Sequence, residues 1–92
     1  MKPLSPATLD RLGNAADFVF LALRDGSSAA EVIDGLLRDH RASLRLRPDG
    51  NRLTCAGITV SCTWSKDEGL LKTWRARATE RLAAQVMEAI GG

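Results

Sequence analysis

The stretch SLRLRPDGNRLTCAGITVSCTW, from Ser43 to Trp64, decides the fold of this chain. Apolar and polar residues alternate through three segments, which are separated at Asp49-Gly50 and at Ala56-Gly57. Alternation with a period of two residues is typical of β-strands that bury one face. The stretch therefore predicts a three-stranded antiparallel meander with these inward residues: Leu44, Leu46, Leu53, Cys55, Ile58, Val60, Cys62 and Trp64.

The strand register follows from keeping the apolar side chains on one face. Pairing Arg47 with Arg52 across the first turn, and Cys55 with Ile58 across the second, satisfies this condition. A three-residue loop at residues 48–50 would bring Arg52 beside an inward leucine, so face matching rejects it. Ala-Gly is a less favoured sequence for the second turn, which leaves a bulge in one long strand as the alternative there.

Helical periodicity flanks the meander on both sides. Ser5-Pro6 and the capping box Ser28–Glu31 predict helices over 5–24 and 28–39, and a second capping box, Ser65–Glu68, predicts one over 65–90. The inward stripe of the first helix is predicted to be Leu9, Leu12, Ala16, Val19, Phe20 and Leu23. The predicted fold is α+β in the order ααβββα, a single domain over 1–92 with the meander over 42–64 and all helices on one sheet face.

The order of a helix, three strands and a helix is similar to that of double-stranded-RNA-binding domains. That family opens its last helix with a lysine cluster that contacts phosphate, whereas this turn reads Ser-Lys-Asp-Glu over residues 65–68. The family's glycine-proline loop between its first strands is also missing here. The resemblance is limited to the order of the elements.

Composition narrows the class of protein. In 92 residues, 45% hydrophobic and 26% charged side chains are ordinary values for a soluble globular protein. The net charge of +2 is a smaller excess than dedicated nucleic-acid binders show. The polar start predicts no secretory signal, and the longest apolar run, Phe18–Leu23, is too short for a membrane span. With two cysteines and no signal, the chain is expected to be cytoplasmic with reduced thiols.

The residues that could carry chemistry form no catalytic set. Cys55 and Cys62 are predicted to point inward, about 13 Å apart along the strands, which is too far for a disulfide. Together with His40 they are too few, and wrongly spaced, for a metal site. No nucleophile motif and no phosphate-binding glycine loop is present in the sequence. We therefore expect no catalytic residue, metal or cofactor, and a protein that is not an enzyme.

A basic cluster is the strongest candidate for a binding site. The register places Arg45, Arg47 and Arg52 on the uncovered sheet face, among Ser43, Thr54, Thr59, Ser61 and Thr63. Like charges opposite one another are destabilising, so their clustering favours contact with an acidic partner or with phosphates. The alternative is an ordinary solvated sheet face. On the last helix, Arg75, Arg77 and Arg81 are interpreted as a solvated face, with a binding stripe as the alternative.

Surplus apolar residues predict a second contact surface. The third helix is predicted to be about 37 Å long and the longest strand about 23 Å, so the helix extends beyond the sheet. Phe18 and Leu21 also fall off the main stripe of the first helix. These features predict a homodimer, with a dimer or partner patch of Phe18, Leu21, Val86, Met87 and Ile90.

Three functions remain open from the sequence. The first is a non-enzymatic protein-binding module, a regulator or inhibitor of the kind that phages and mobile elements encode against host machinery. It rests on the absence of a catalytic set and on how common such small proteins are. The second is a nucleic-acid-binding domain that uses the basic sheet face. The third is a homodimeric structural or assembly protein. Another protein is the expected partner, and no membrane is expected to be one.

Overall fold

Three helices and one three-stranded antiparallel sheet make up residues 5–91, which the computed structural model describes, with side chains for residues 5–85. The helices are α1 (Pro6–Arg24), α2 (Ala29–Asp39) and α3 (Glu68–Gly91). The strands are β1 (Ser43–Arg45), β2 (Asn51–Cys55) and β3 (Ile58–Cys62), in the spatial order β1-β2-β3. The predicted α+β fold in the order ααβββα is confirmed.

The first two helices begin at the residues that the sequence predicts. The Ser5 hydroxyl accepts a hydrogen bond from the Thr8 backbone N–H at 3.2 Å. At α2, the Ser28 hydroxyl accepts from the Glu31 N–H at 3.2 Å, and the Glu31 carboxylate accepts from the Ser28 N–H at 3.1 Å. These bonds to Ser28 lower the pKa of Glu31, because they stabilise the ionised carboxylate. Both caps satisfy N–H groups that the helix itself leaves without partners.

The third helix begins later than predicted, at Glu68. The Asp67 carbonyl accepts the N–H of Leu71 at 2.8 Å, so the chain enters the helix through Asp67. The Ser65 hydroxyl accepts instead from the N–H groups of Asp67 and Gly69, at 3.3 and 3.0 Å. The predicted capping box between Ser65 and Glu68 is therefore wrong, because Ser65 belongs to a turn that precedes the helix.

The two turns of the meander differ in how well the sequence predicts them. Cys55 pairs with Ile58 as predicted, across a two-residue turn in which Ala56 and Gly57 both have positive φ, 51° and 82°. Positive φ at both central residues is the conformation that matches strand twist, so the bulge alternative is wrong. At the first turn Arg52 pairs with Arg45, not with Arg47 as predicted. The loop that connects β1 to β2 is therefore two residues longer than predicted, and both extra residues lie at its N-terminal end.

The inward side chains of the sheet form the core with the three helices. Leu53, Cys55, Val60 and Cys62 are buried, whereas the strand residues between them face outward. From α3, Leu70, Leu71, Trp74 and Ala78 cover this face, and α1 and α2 complete the core with Leu12, Ala15, Val19, Val32, Ile33 and Leu36. The Trp74 indole Nε1 donates to the Cys55 carbonyl at 3.2 Å. Helices therefore cover one face of the sheet, as predicted.

The two phenylalanines of α1 exchange their predicted roles. The periodicity predicts that Phe20 points inward, but its side chain is 55% exposed. Phe18, predicted to leave the stripe, is half-buried against α2, and a Cβ on Gly35 would lie 2.4 Å from its Cζ atom. Its ring centroid is 5.0 Å from that of His40. Gly35 on α2 thus opens the space that the Phe18 ring occupies.

Two residues at the ends of strands are also exposed against prediction. Leu46 is 57% exposed, because β1 ends at Arg45 and Leu46 belongs to the following loop. Trp64 is 77% exposed, because β3 ends at Cys62 and the chain turns there toward α3. The alternation of the sequence continues past both strand ends, so it does not mark where the inward positions stop.

Gly69 should be intolerant of a side chain. A Cβ there would lie 2.6 Å from Cys62 Sγ and 2.9 Å from the Ser65 Cβ, closer than real contacts allow. We expect Gly69→Ala to lower the free energy of unfolding by about 1–2 kcal/mol, because overpacking outweighs the better helix propensity of alanine. Urea denaturation followed by circular dichroism measures this change.

The matched control is Gly13→Ala in α1, where nothing lies within 4 Å of an added Cβ. That change should raise the free energy of unfolding by about 0.5–1 kcal/mol through helix propensity alone. Equal effects of the two substitutions would contradict the close contact between the start of α3 and the end of β3.

Candidate functional site

Three arginines share one groove on the sheet face that the helices leave uncovered. Arg45 lies on β1, Arg52 on β2, and Arg47 in the loop between these strands. Hydroxyl side chains complete the lining of the groove, whose volume is about 250 Å³: Ser43, Thr54 and Thr59. We call these six residues the arginine face.

Strand alternation and one tight turn bring the three arginines to the same groove. Arg45 and Arg52 are direct partners in the antiparallel pair and therefore share the outer face. Arg47 reaches the same groove from the loop, where the Gly50 N–H donates to the Arg47 carbonyl at 3.1 Å. Pro48 occupies the second position of this turn, a position that its fixed φ favours. The correct cluster thus follows from the sequence even though the predicted pairing is incorrect.

Within the described part of the chain, none of these three arginines forms a salt bridge. The salt bridge on α2, between Arg38 and Asp39 at 3.3 Å, lies on another element. One carboxylate, Asp49, lines a neighbouring depression of about 100 Å³ together with Arg47 and Arg52. Because Arg45 and Arg52 are direct strand partners and form no salt bridge in the described residues, an anionic partner would relieve their repulsion.

Small hydroxyl residues surround the arginines and leave their hydrogen-bonding groups accessible. The Thr54 and Thr59 hydroxyl oxygens are 3.0 Å apart, within hydrogen-bonding distance across β2 and β3. Ser61 and Thr63 line the neighbouring depression beside Arg52. A guanidinium group in such surroundings can offer two parallel N–H groups to a carboxylate or a phosphate.

A second concave surface lies between the β2–β3 turn and α3. It is about 330 Å³ in volume and is lined by Gly57, Ile58, Thr59, Arg77, Glu80, Arg81 and Ala84. Thr59 also belongs to the arginine face, so the two surfaces are contiguous. The sequence favours a solvated face over a binding stripe for Arg77 and Arg81, with Arg75. It does not place them beside the β2–β3 turn, because the overlap of α3 with the turn depends on tertiary packing.

The predicted apolar patch is reproduced only in part. Leu21 is 46% exposed, but Phe18 is half-buried between α1 and α2. Val86, Met87 and Ile90 lie outside the residues whose side chains the structure describes. Three exposed hydrophobic residues are not predicted as surface positions: Phe20, Leu46 and Trp64.

The cysteines are buried and have no disulfide, as predicted. Cys55 Sγ donates to the backbone carbonyl of His40 at 3.7 Å, so the His40 imidazole is not its partner. Burial raises the pKa of the Cys55 thiol to about 11, with Arg11 opposing the shift. Over the described residues, no group of three or more His, Cys, Asp or Glu side chains could hold a metal ion.

The raised pKa of Cys55 predicts how stability depends on pH. Cysteine in an unfolded chain ionises near pH 8.5, while the folded thiol keeps its proton to about pH 11. The free energy of unfolding should therefore be unaffected by this group below about pH 8 and should fall as the pH rises from about 8.5 to about 11. Urea denaturation of the wild type and of Cys55→Ala near pH 8 and near pH 10 isolates its contribution.

The pH-dependent loss of unfolding free energy should be smaller in Cys55→Ala than in the wild type.

Thiol titration of denatured protein without reductant should give two free thiols per chain. A monomeric chain with no titratable thiol would contradict both the free cysteines and the strand pairing that separates them.

Comparison with known proteins adds no family to this description. No protein-family model matches the sequence, and neither a curated protein nor a solved structure is significantly similar to it. None of the helices in the part of the chain searched is long and apolar enough to cross a membrane.

Proposed function

We propose that this chain is a non-enzymatic protein-binding module whose arginine face contacts an acidic surface of a partner protein. The observation that carries the proposal is the groove itself: three arginines without salt bridges in the described residues line one groove on the sheet face that no described helix covers. A regulator or inhibitor works by such contacts and needs no catalytic group. The proposal includes a cytoplasmic location, which the two free thiols favour.

The geometry supports carboxylates as the ligands of this face. The three cations of the groove come from neighbouring strands and their loop rather than from one long stripe. The overall charge is close to balanced, at +2. A local cluster on a nearly neutral protein is typical of a protein interface, in which complementary charges set the orientation and the partner.

Capture from a native extract tests this function. Immobilised wild-type protein should retain an acidic protein after nuclease treatment, and the triple variant Arg45→Ala, Arg47→Ala, Arg52→Ala should not. The matched control removes three exposed arginines from other surfaces, Arg24, Arg38 and Arg75, and so makes the same change in net charge. Retention of the same proteins by all three forms would contradict a role of the arginine face.

A nucleic-acid-binding domain is the second candidate, and one observation favours it. Because Thr59 joins the arginine face to the surface that carries Arg77 and Arg81, basic residues extend from the sheet to α3. A longer basic track suits a polyanion better than a single acidic patch. Under this alternative, nuclease treatment removes the captured material, and binding weakens steeply as salt increases.

A further inference from the structure

Strand β3, at one edge of the sheet, lacks within its own sequence the features that usually protect such an edge. Its five residues, Ile58–Cys62, include no charged residue and no proline, and they pair with β2 without a bulge. Natural edge strands are blunted by such features, because an open edge templates pairing with another chain. The opposite edge is protected, since β1 is three residues long and carries Arg45.

The free backbone groups of this edge belong to Thr59 and Ser61. Ile58 closes the two-residue turn with Cys55, and Val60 pairs with Leu53, so these residues direct their N–H and C=O groups toward β2. Thr59 and Ser61 alternate with these residues and direct their N–H and C=O groups away from β2, toward the open edge. In residues 5–91, no hydrogen bond joins the backbone groups of Thr59 or Ser61 to another element.

We propose that this edge pairs with β3 of a second copy of the chain, antiparallel and around a two-fold axis at Val60. Val60 is the middle residue of the strand, so this register pairs all five residues. Thr59 then lies opposite Ser61 of the second copy, and the two exchange both of their free N–H and C=O groups. The symmetry repeats this exchange on the other side of the axis.

The side chains are self-complementary in this register. On the inner face, Ile58 comes opposite Cys62 of the second copy and Val60 opposite its own equivalent, so the apolar layer continues. These three residues keep 5–9% exposure, whereas Leu53 and Cys55 on the central strand keep 0–1%. A second copy therefore covers the small apolar area that these buried residues still expose at the edge.

Pairing through β3 would also combine the two arginine faces. The sheet would have six strands, and the two copies of β2 would be separated by three strand spacings, about 14 Å. Both arginine faces would lie on the same side of this sheet, because antiparallel pairing keeps outward residues outward. The dimer would then present six guanidinium groups to a partner.

Sedimentation analysis and light scattering test the inference. The wild type should show a mass near twice 9.9 kDa at micromolar concentration. Ser61→Pro should be monomeric, because proline removes an N–H that faces away from β2 and is tolerated on such an edge. Ser61→Ala, which keeps the N–H, should remain dimeric. Circular dichroism establishes whether each variant is folded.

Charge substitutions give a second test that does not depend on proline. Thr59→Glu with Ser61→Glu places like charges opposite each other between copies, and it should weaken dimerisation at least tenfold. Thr59→Lys with Ser61→Glu differs only in the sign at residue 59 and should restore the dimer. A wild type that stays near 9.9 kDa at high micromolar concentration, or a dimer unaffected by any of these variants, would overturn the inference.

Discussion

Replacing Trp74 with alanine should remove a large part of the stability of this protein. Trp74 is fully buried between α3 and the sheet, and it is the largest fully buried side chain in the described residues. Truncation of a buried tryptophan to alanine costs about 3–5 kcal/mol, and a chain of this size has about 5–14 kcal/mol in total. We expect the midpoint of urea denaturation to fall accordingly, with the slope unchanged if unfolding remains two-state.

Two further variants separate the contributions of Trp74. Trp74→Phe keeps most of the apolar volume but loses the hydrogen bond to the Cys55 carbonyl, so its cost should be about 1–2 kcal/mol. Trp64→Ala is the matched control, because that ring is 77% exposed, and its cost should stay below about 1 kcal/mol. If Trp64→Ala and Trp74→Ala cost the same, the packing of α3 on the sheet is wrong.

The register at the first turn shows where a sequence pattern stops being informative. Alternation distinguishes registers that differ by one residue, because every side chain changes face. The observed pairing of Arg45 with Arg52 differs from the predicted pairing of Arg47 with Arg52 by two residues, which leaves every face unchanged. The turn that contains Pro48 decides between the two registers. The preference of proline for one position of such a turn is therefore more informative at this point than the apolar pattern.

The arginine face could be predicted because it depends only on which face each residue occupies. Any register that buries Leu53 directs Arg52, Thr54 and their outward neighbours to the other side. The surface containing Arg77 could not be predicted in this way, since it depends on where α3 crosses the β2–β3 turn. The same limit applies to Phe18, whose burial depends on Gly35 in a different helix.

The largest effect on binding is expected from the triple variant Arg45→Ala, Arg47→Ala, Arg52→Ala. Its free energy of unfolding should change by less than about 1 kcal/mol, because all three side chains are exposed and form no salt bridge in the described residues. Removing the repulsion between Arg45 and Arg52 should offset part of any loss.

Affinity for the partner should fall far more than stability. A hydrogen bond to a charged group contributes about 1.5–3 kcal/mol, so removing the hydrogen bonds of three arginines should weaken binding by more than about 100-fold, about 3 kcal/mol or more. Calorimetric titration of the captured partner measures this, and the control variant Arg24→Ala, Arg38→Ala, Arg75→Ala should bind within about threefold of wild type if net charge alone contributes little.

A lysine series then distinguishes the two chemistries that the face could serve. Replacing the same three arginines with lysine keeps the charge but removes the paired N–H groups that fit a carboxylate. For an acidic protein partner we expect lysine to recover only a small part of the affinity that alanine removes. For a nucleic acid, where phosphate neutralisation dominates, lysine should recover most of it, and the alanine variant should reduce the salt slope by about 0.7–0.9 for each phosphate that is no longer neutralised. Wild-type affinity in the alanine variant would show that neither partner uses this face.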